Sequence, residues 1–133
     1  MKTKILHWKN EKALDSAKKV ILNGGILVYP TDTIYGFGVN ALNLEAINNL
    51  NLVKNRQGPM SVIIESKEKA SSWVKLPNHE IKSALKYLKA QTTIIFPVKQ
   101  NIVENKILGP GNTLGIRFSK HPFCISLANY CSV

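Results

Sequence analysis

The sequence has few of the residues on which most catalytic mechanisms depend. Of its 133 residues, eight are acidic, three are histidine and two are cysteine. The histidines are far apart and form no local metal-binding pattern (His7, His79, His121), and Cys124 and Cys131 suggest neither a disulfide framework nor a zinc site. We find no Ser-His-Asp or Cys-His arrangement and no close carboxylate pair. Any chemistry is therefore expected to depend on positioning and charge neutralisation.

Long apolar runs are missing as well. No stretch approaches the roughly 18 apolar residues that span a bilayer, and the first residues, MKTKILHWKNEK, contain no apolar stretch of signal-peptide length. We therefore expect a cytoplasmic protein with no membrane partner. A hydrophobic content of 44% in 133 residues is enough for the core of one domain, expected to cover residues 1–133.

Because negative charge is scarce, lysine dominates the charge balance. Sixteen lysines and two arginines against eight acids give a formal net charge of +10. This predicts a positive field that attracts polyanions such as nucleotides or RNA. Lysines that only keep the protein soluble explain the same number, so both interpretations stay open.

The apolar spacing predicts the element order αβαβααββα. Asn10 and Asn43 are predicted to cap the first two helices, and Pro122 fits the first turn of the last one. Short β-branched runs predict strands at 26–29, 61–65, 92–98 and 113–118. This order favours a layered α/β domain with a mixed sheet, in which the last two strands, with no helix between them, pair antiparallel.

The stretch YPTDTIYGFG follows the first predicted strand. Thr31, Asp32, Thr33 and Tyr35 offer hydrogen-bonding groups near the carboxyl end of that strand, where open α/β sheets hold ligands. Hydroxyls both donate and accept, which suits a small zwitterion such as an amino acid. Two alternatives stay open: a turn in which Asp32 and Thr33 bond nearby amides, and a weak G-x-G-x-x-A dinucleotide pattern at 36–41.

The two arginines stand out among the lysines. Arg117 lies inside TLGIRF between apolar residues, so it must face either solvent or a ligand cleft. Thr113, four residues earlier, is predicted to share its face of the strand. Lys54 and Arg56 form a K-x-R pattern before Gly-Pro that is typical of a phosphate clamp, although cations also complement a helix C-terminus. We expect the two arginines to converge on one cleft.

Four segments, in this order, carry a family resemblance: YPTDTIYGFG, LVKNRQGPMSVII, TTIIFP and GNTLGIRFSKHP. With them the sequence resembles the YrdC family of L-threonylcarbamoyladenylate synthases over most of its length. The resemblance implies an α/β (α+β) single domain, with a twisted mixed parallel and antiparallel sheet flanked by helices and a positively charged cleft.

The activity implied by the resemblance is that of a nucleotidyltransferase. It would make threonylcarbamoyl-AMP and pyrophosphate from L-threonine, bicarbonate and ATP, with Mg²⁺ accompanying the ATP, for N6-threonylcarbamoyladenosine in tRNA. Partners would include tRNA or tRNA-modification proteins. No catalytic residue or metal ligand is implied. By matching position, L-threonine would be held by Thr31, Thr33, Tyr35 and Arg117, and the ATP phosphates by Lys54, Arg56 and Thr113.

The sequence departs from the family pattern at three places. Ile63 stands near the position of a histidine found in many members, and residues 89–91 replace a Pro-Gly-Pro. A nucleotide-binding Ser-Ala-Asn segment, expected after NYCSV, is not among the 133 residues. We therefore expect a truncated member with an exposed sheet edge, an impaired ATP site and a tendency to form a homodimer. The alternatives are a non-catalytic RNA- or tRNA-binding module that uses the positive cleft, and a carbamoyl-transfer domain of a larger protein.

Overall fold

A computed structural model describes residues 2–133 of the chain. None of the helices in this part is long and apolar enough to cross a membrane. The elements are, in chain order, α1 (Ala13–Leu22), β1 (Leu27–Tyr29), β2 (Gly36–Gly38), α2 (Leu44–Lys54), β3 (Ser61–Ile64), α3 (Lys67–Trp73), α4 (Asn78–Leu85), β4 (Thr92–Pro97), a 3-10 turn (Asn105–Ile107), β5 (Thr113–Phe118) and α5 (Pro122–Tyr130).

The strands form two sheets. β1 and β2 pair antiparallel as a two-stranded sheet, and the other three strands form a sheet in the order β3-β5-β4. In this second sheet β5 runs parallel to β3 and antiparallel to β4. The predicted mixed sheet and the antiparallel pairing of the last two strands are therefore confirmed.

Strand β2 was not predicted from the sequence. Its three residues, GFG, contain two glycines, which are depleted in strands, so no local signal favours an extended segment there. The segment becomes a strand because it pairs with β1, placing Phe37 opposite Val28 and Gly36 opposite Tyr29. Only residues 30–35 of the polar stretch remain as the connection between the two strands.

The two predicted helix caps have different outcomes. Asn43 caps α2 as expected, since its side chain accepts a hydrogen bond from the amide of Ala46 at 3.0 Å. The prediction for Asn10 is wrong, because α1 begins at Ala13 and Lys12 occupies the cap position. The Asn10 side chain instead accepts from the Lys12 amide at 2.9 Å, in the turn before the helix.

The core consists of two hydrophobic clusters on opposite sides of the three-stranded sheet. One lies among α2, α3 and α4 and includes Leu114 and Ile116 of β5. The other joins α1, α5 and β1, and includes Ile63 of β3. The chain end runs between the two sheets, where the amide of Ala41 donates to the Ser132 carbonyl and the amide of Ile63 to the Val133 carbonyl, each at 2.9 Å.

Candidate functional site

The alternation of β5 brings Arg117 to the polar face of the sheet. Leu114 and Ile116 are buried in the first cluster, so Thr113, Gly115 and Arg117 point to the opposite face. The register places Thr93 of β4 and Ile63 of β3 on either side of Arg117. The hydroxyl and the guanidinium predicted to share one face of the strand do share it.

Arg117 does not extend into bulk water. Its side chain is 22% exposed. Its Nη2 donates to Thr33 Oγ1 at 3.1 Å and its Nη1 donates to Thr93 Oγ1 at 3.4 Å. Asp32 Oδ1 lies 3.6 Å from Nη2, as an ion pair just beyond hydrogen-bond distance. The β1–β2 connection is thus attached to the sheet through a permanently charged group.

Asp32 is held by a residue distant in sequence. The backbone amide of Gln91 donates to Asp32 Oδ2 at 3.0 Å, and the Gln91 side-chain amide donates to the Asp32 carbonyl at 3.3 Å. These two residues are 59 positions apart, so the interpretation in which Asp32 bonds nearby amides is wrong for this residue.

Thr31 organises the connection locally. Its hydroxyl oxygen accepts from the Thr33 amide at 3.1 Å, and the hydroxyl donates to the carbonyl of Ile34. This small turn presents Asp32 and Thr33 toward the sheet. Tyr35 lies outside the group: its side chain is largely exposed and makes no hydrogen bond to Arg117.

Gly115 lets the side chain of Ser61 pack closely on the sheet face beside Arg117. A Cβ at this position would lie 2.7 Å from Ser61 Oγ and 3.4 Å from Thr93 Cγ2. Because the glycine carries no side chain, Ser61 and Thr93 can pack directly over the backbone of β5. Both of these residues are exposed, so a small polar ligand at this face can meet their hydroxyls next to the guanidinium.

Lys54 and Arg56 form a second group at the C-terminal end of α2. Asn55 between them adopts a left-handed conformation with φ of 48°, which ends the helix and separates the two side chains. Both cations are exposed, and no carboxylate of residues 2–133 lies within ion-pair distance of either. They are therefore available to an external anion.

The second group borders a cavity of about 270 Å³ between α2 and β3. Lys54, Arg56 and Ser61 are among the residues that line it, whereas Arg117 and Thr33 are not. Ser61 also lies opposite Gly115 in the sheet. The group around Arg117 and the group formed by Lys54 and Arg56 therefore adjoin at this serine. Each arginine belongs to its own group, and Arg117 does not line the cavity that Arg56 borders. The convergence of both arginines on one cleft therefore stays a prediction.

Thr113 is engaged in the turn that precedes β5. Its hydroxyl donates to the Pro110 carbonyl at 2.9 Å, and the Gly109 amide donates to its backbone carbonyl at 2.8 Å. A phosphate oxygen requires a donor, so this hydroxyl would have to rotate away from Pro110 to bind one. Its predicted contact with ATP stays a prediction.

Ionisable groups near Asp32 are kept neutral. Burial, followed by the nearby Cys124 thiol, raises the pKa of Tyr29 far above its usual range. Burial also raises the pKa of Cys124, whose thiol donates to the Pro30 carbonyl at 3.0 Å. Cys124 is therefore protonated at neutral pH and is no nucleophile. Within residues 2–133, no three His, Cys, Asp or Glu side chains gather in a way that could hold a metal ion.

Sequence reasoning missed three of the surrounding residues. Thr93 and Gln91 touch the Arg117–Asp32 pair, and Ser61 faces Gly115. The alternation of TTIIFP does place Thr93 and Ile95 on one face of β4. The register against β5, which decides that Thr93 meets Arg117, cannot be read from the sequence.

Comparisons with known proteins agree with this architecture. The Sua5/YciO/YrdC family model, described as telomere recombination, matches residues 19–133. A threonylcarbamoyl-AMP synthase of Hydrogenovibrio crunogenus is 32% identical, over 87% of this chain and 65% of its own length. A protein of Methanocaldococcus jannaschii is 30% identical, over 90% of this chain and 58% of its own. The chain thus spans less than two thirds of either relative.

The fold is shared with a solved structure. The crystal structure of Pyrococcus abyssi Sua5 complexed with L-threonine superposes with a TM-score of 0.78 at 24% identity, covering 98% of this chain and 38% of that one. Together with the mixed sheet, this likeness confirms the predicted α/β architecture.

Proposed function

Since the chain belongs to the Sua5/YciO/YrdC family, we propose that its 133 residues form one domain that makes threonylcarbamoyl-AMP. The relative from Hydrogenovibrio crunogenus carries the name of this nucleotidyltransferase activity. The observation that carries the proposal is the contact between Arg117 and Thr33, 3.1 Å apart, beside the exposed hydroxyl of Thr93. A guanidinium and neighbouring hydroxyls suit the carboxylate and polar groups of a small amino acid.

In the proposed complex, Arg117 receives the carboxylate of L-threonine. Three of its five N–H donors are not used by Thr33 or Thr93, which leaves enough for a two-point contact with a carboxylate. Thr33 and Thr31 supply hydroxyls, and the exposed Tyr35 forms the outer wall. The presence of L-threonine in the crystal structure of Pyrococcus abyssi Sua5 supports this choice of substrate.

The proposed reaction requires no protein nucleophile. The threonine amine and bicarbonate give a carbamate and water. A carbamate oxygen then attacks the α-phosphorus of ATP, forming the mixed anhydride and releasing pyrophosphate. The protein aligns the two anions and offsets their charge, which agrees with the scarcity of acidic, histidine and cysteine residues.

Lys54, Arg56 and Thr113 are proposed to bind the phosphates of ATP, and the family chemistry would supply Mg²⁺ with the nucleotide. Because Lys54 and Arg56 are exposed, we expect these 133 residues alone to bind ATP weakly and to turn it over slowly. We propose that they work in the cytoplasm with tRNA-modification proteins. A second copy could cover the apolar walls of the cavity beside Arg56, such as Phe37 and Met60.

The proposal is tested by calorimetric titration with L-threonine. Arg117→Lys keeps the charge but loses the planar two-point donor, so the affinity should fall about 10- to 100-fold. The same substitution at the other arginine, Arg56→Lys, should leave L-threonine affinity unchanged and lower only pyrophosphate release from ATP. Equal binding by wild type and Arg117→Lys would remove the basis of the proposal.

A second candidate function is RNA binding without catalysis. All lysines except Lys18 and Lys69 are exposed, and the formal net charge is +10. Phosphate contacts of this kind give an affinity that falls steeply with salt. Tight, salt-dependent tRNA binding, with no heat on adding L-threonine and no pyrophosphate release, would favour this function over the first.

A further inference from the structure

The carboxylate of Asp32 is more buried and makes fewer hydrogen bonds than a role in the turn alone would require. Its side chain is 11% exposed, and its Oδ1 is buried without a hydrogen-bond donor. Its Oδ2 accepts from the Gln91 amide, which fixes the carboxylate from one side. Gln91 itself adopts a left-handed conformation with φ of 64°, which is uncommon for a residue other than glycine.

We propose that Asp32 is a positioning residue for Arg117, with Gln91 as its anchor. The role rests on the proposed function, because Arg117 is the group that meets the substrate carboxylate. Asp32 Oδ1 stands 3.6 Å from Nη2, so it attracts the guanidinium without taking a hydrogen bond from it. Asp32 thereby holds the charged group in place while leaving its donors free for a ligand.

The polar neighbours of Arg117 show from which side Asp32 attracts the guanidinium. Thr33 and Thr93 each accept one hydrogen bond from the guanidinium, at 3.1 and 3.4 Å, and these neutral contacts are the only other polar ones of Arg117 within residues 2–133. Among the residues that the structure describes, Asp32 supplies the one carboxylate within ion-pair distance of the guanidinium, and it lies on the Nη2 side together with Thr33. Without it, the long arginine side chain gains rotamer freedom, which the ligand must then remove.

A competing role predicts the opposite result. If Asp32 merely occupied the place of the substrate carboxylate, its removal would free a full positive charge and L-threonine would bind more tightly. If it positions Arg117, its removal weakens binding. Asp32→Asn separates the two, because asparagine has the same shape and can still accept from the Gln91 amide.

The first measurement needs no ligand. The protein has only two arginines, so its NMR spectrum contains two side-chain Nε–Hε signals, of Arg117 and Arg56. Asp32→Asn should shift the Arg117 signal toward that of a free arginine and raise its mobility, while Arg56 stays unchanged as an internal reference. The matched control is Asp15→Asn, the same substitution at the only other aspartate, which is exposed on α1.

The second measurement is a double-mutant cycle in L-threonine affinity. Asp32→Asn should weaken binding about 10-fold in the wild-type background and cause no further loss in Arg117→Gln, because it acts through that residue. A general effect on folding would instead lower affinity by the same factor in both backgrounds. Gln91→Ala, at an exposed position, should give a smaller change of the same kind.

The possible results distinguish the positioning role of Asp32 from the proposed function of the protein. An unchanged Arg117 signal in Asp32→Asn, tighter L-threonine binding, or losses that multiply in the cycle would each overturn the positioning role. If wild type shows no L-threonine binding, the proposed function fails, and the NMR signal of Arg117 still decides whether Asp32 orients it.

Discussion

Gly38 is a residue of β2 that packs closely against the second hydrophobic cluster. A Cβ on Gly38 would lie 2.6 Å from Tyr29 Cε1 and 2.8 Å from Val133 Cγ1. Both neighbours are buried, so neither can move aside without disturbing its own contacts. The glycine therefore permits the close packing of the two-stranded sheet against the chain end.

Gly38→Ala should lower the free energy of unfolding by about 1–3 kcal/mol, because the added methyl overpacks a buried contact. Urea denaturation measures the change. Gly36→Ala in the same strand is the matched control, since its Cβ would meet only Thr31 Cγ2 at 3.9 Å, an ordinary contact. The packing explanation is wrong if both variants lose the same stability.

At the scale of single residues, strand alternation and the cost of burying a charge predicted that the Arg117 side chain shares a face with Thr113 and points to solvent or a ligand cleft. Its neighbours could not be predicted in the same way. Thr93 and Gln91 meet the Arg117–Asp32 pair only because β4 and β5 pair in one register, and register is set by tertiary packing.

Helix α2 connects the packing of the core with the second cationic group. Ile47 and Leu50 are buried, whereas Leu44 and Val53, which continue the same three-residue spacing, are 48% and 59% exposed. The buried stripe instead includes Ala46 and Asn51. The helix is thus rotated relative to its most apolar face, and it ends with Lys54 beside the cavity between α2 and β3.

Asn43→Ala should destabilise the protein by about 1 kcal/mol, because the first turn of α2 loses the side-chain acceptor for the Ala46 amide. Thermal or urea unfolding gives the value. The control is Asn49→Ala, an exposed position inside the same helix, where alanine is the better helix former and no loss is expected. A loss at Asn49 as large as at Asn43 would argue against a capping effect.

Elements with strong local signals were predicted, and those that depend on pairing were not. The strand at 113–118 has the predicted bounds, and Pro122 begins α5 as expected, since each has a clear apolar or turn pattern. Strand β2 has no local sequence pattern of this kind, because its glycines are disfavoured in strands and only the pairing with β1 makes the segment extended. Asn10 had a plausible cap sequence, yet the turn it forms delays the helix start to Ala13.

At the scale of the molecule, the two sheets are connected through residues that also border the candidate site. Ser132 and Val133 accept hydrogen bonds from the amides of Ala41 and Ile63, and Ala41 and Val133 line the cavity beside Arg56. The second cluster then packs α5 against β1 and brings Cys124 to the Pro30 carbonyl, next to the turn that carries Asp32. The stability of this cluster and the geometry of the turn are therefore linked.

The cysteine thiols and the buried tyrosine in the second cluster make the stability of the protein sensitive to alkaline pH. Burial is the main cause that raises the pKa of Cys124, opposed by Ser119 and Arg117 and reinforced by Asp32, and burial likewise raises the pKa of Tyr29 and Cys131. The unfolded chain therefore loses these protons at lower pH than the folded protein does. The stabilising contribution of each group is complete below its unfolded pKa, about 8.5 for a thiol, and is lost as pH rises toward the folded value.

The free energy of unfolding should accordingly decrease between pH 8 and pH 9.5, as measured by urea denaturation at each pH. Cys124→Ser keeps a donor for the Pro30 carbonyl and has no group that ionises in this range, so its stability should fall less steeply with pH than that of wild type. Only the slopes are compared, because the substitution also changes packing. Identical slopes in the two proteins would show that the Cys124 thiol is as free to ionise in the folded state as in the unfolded chain.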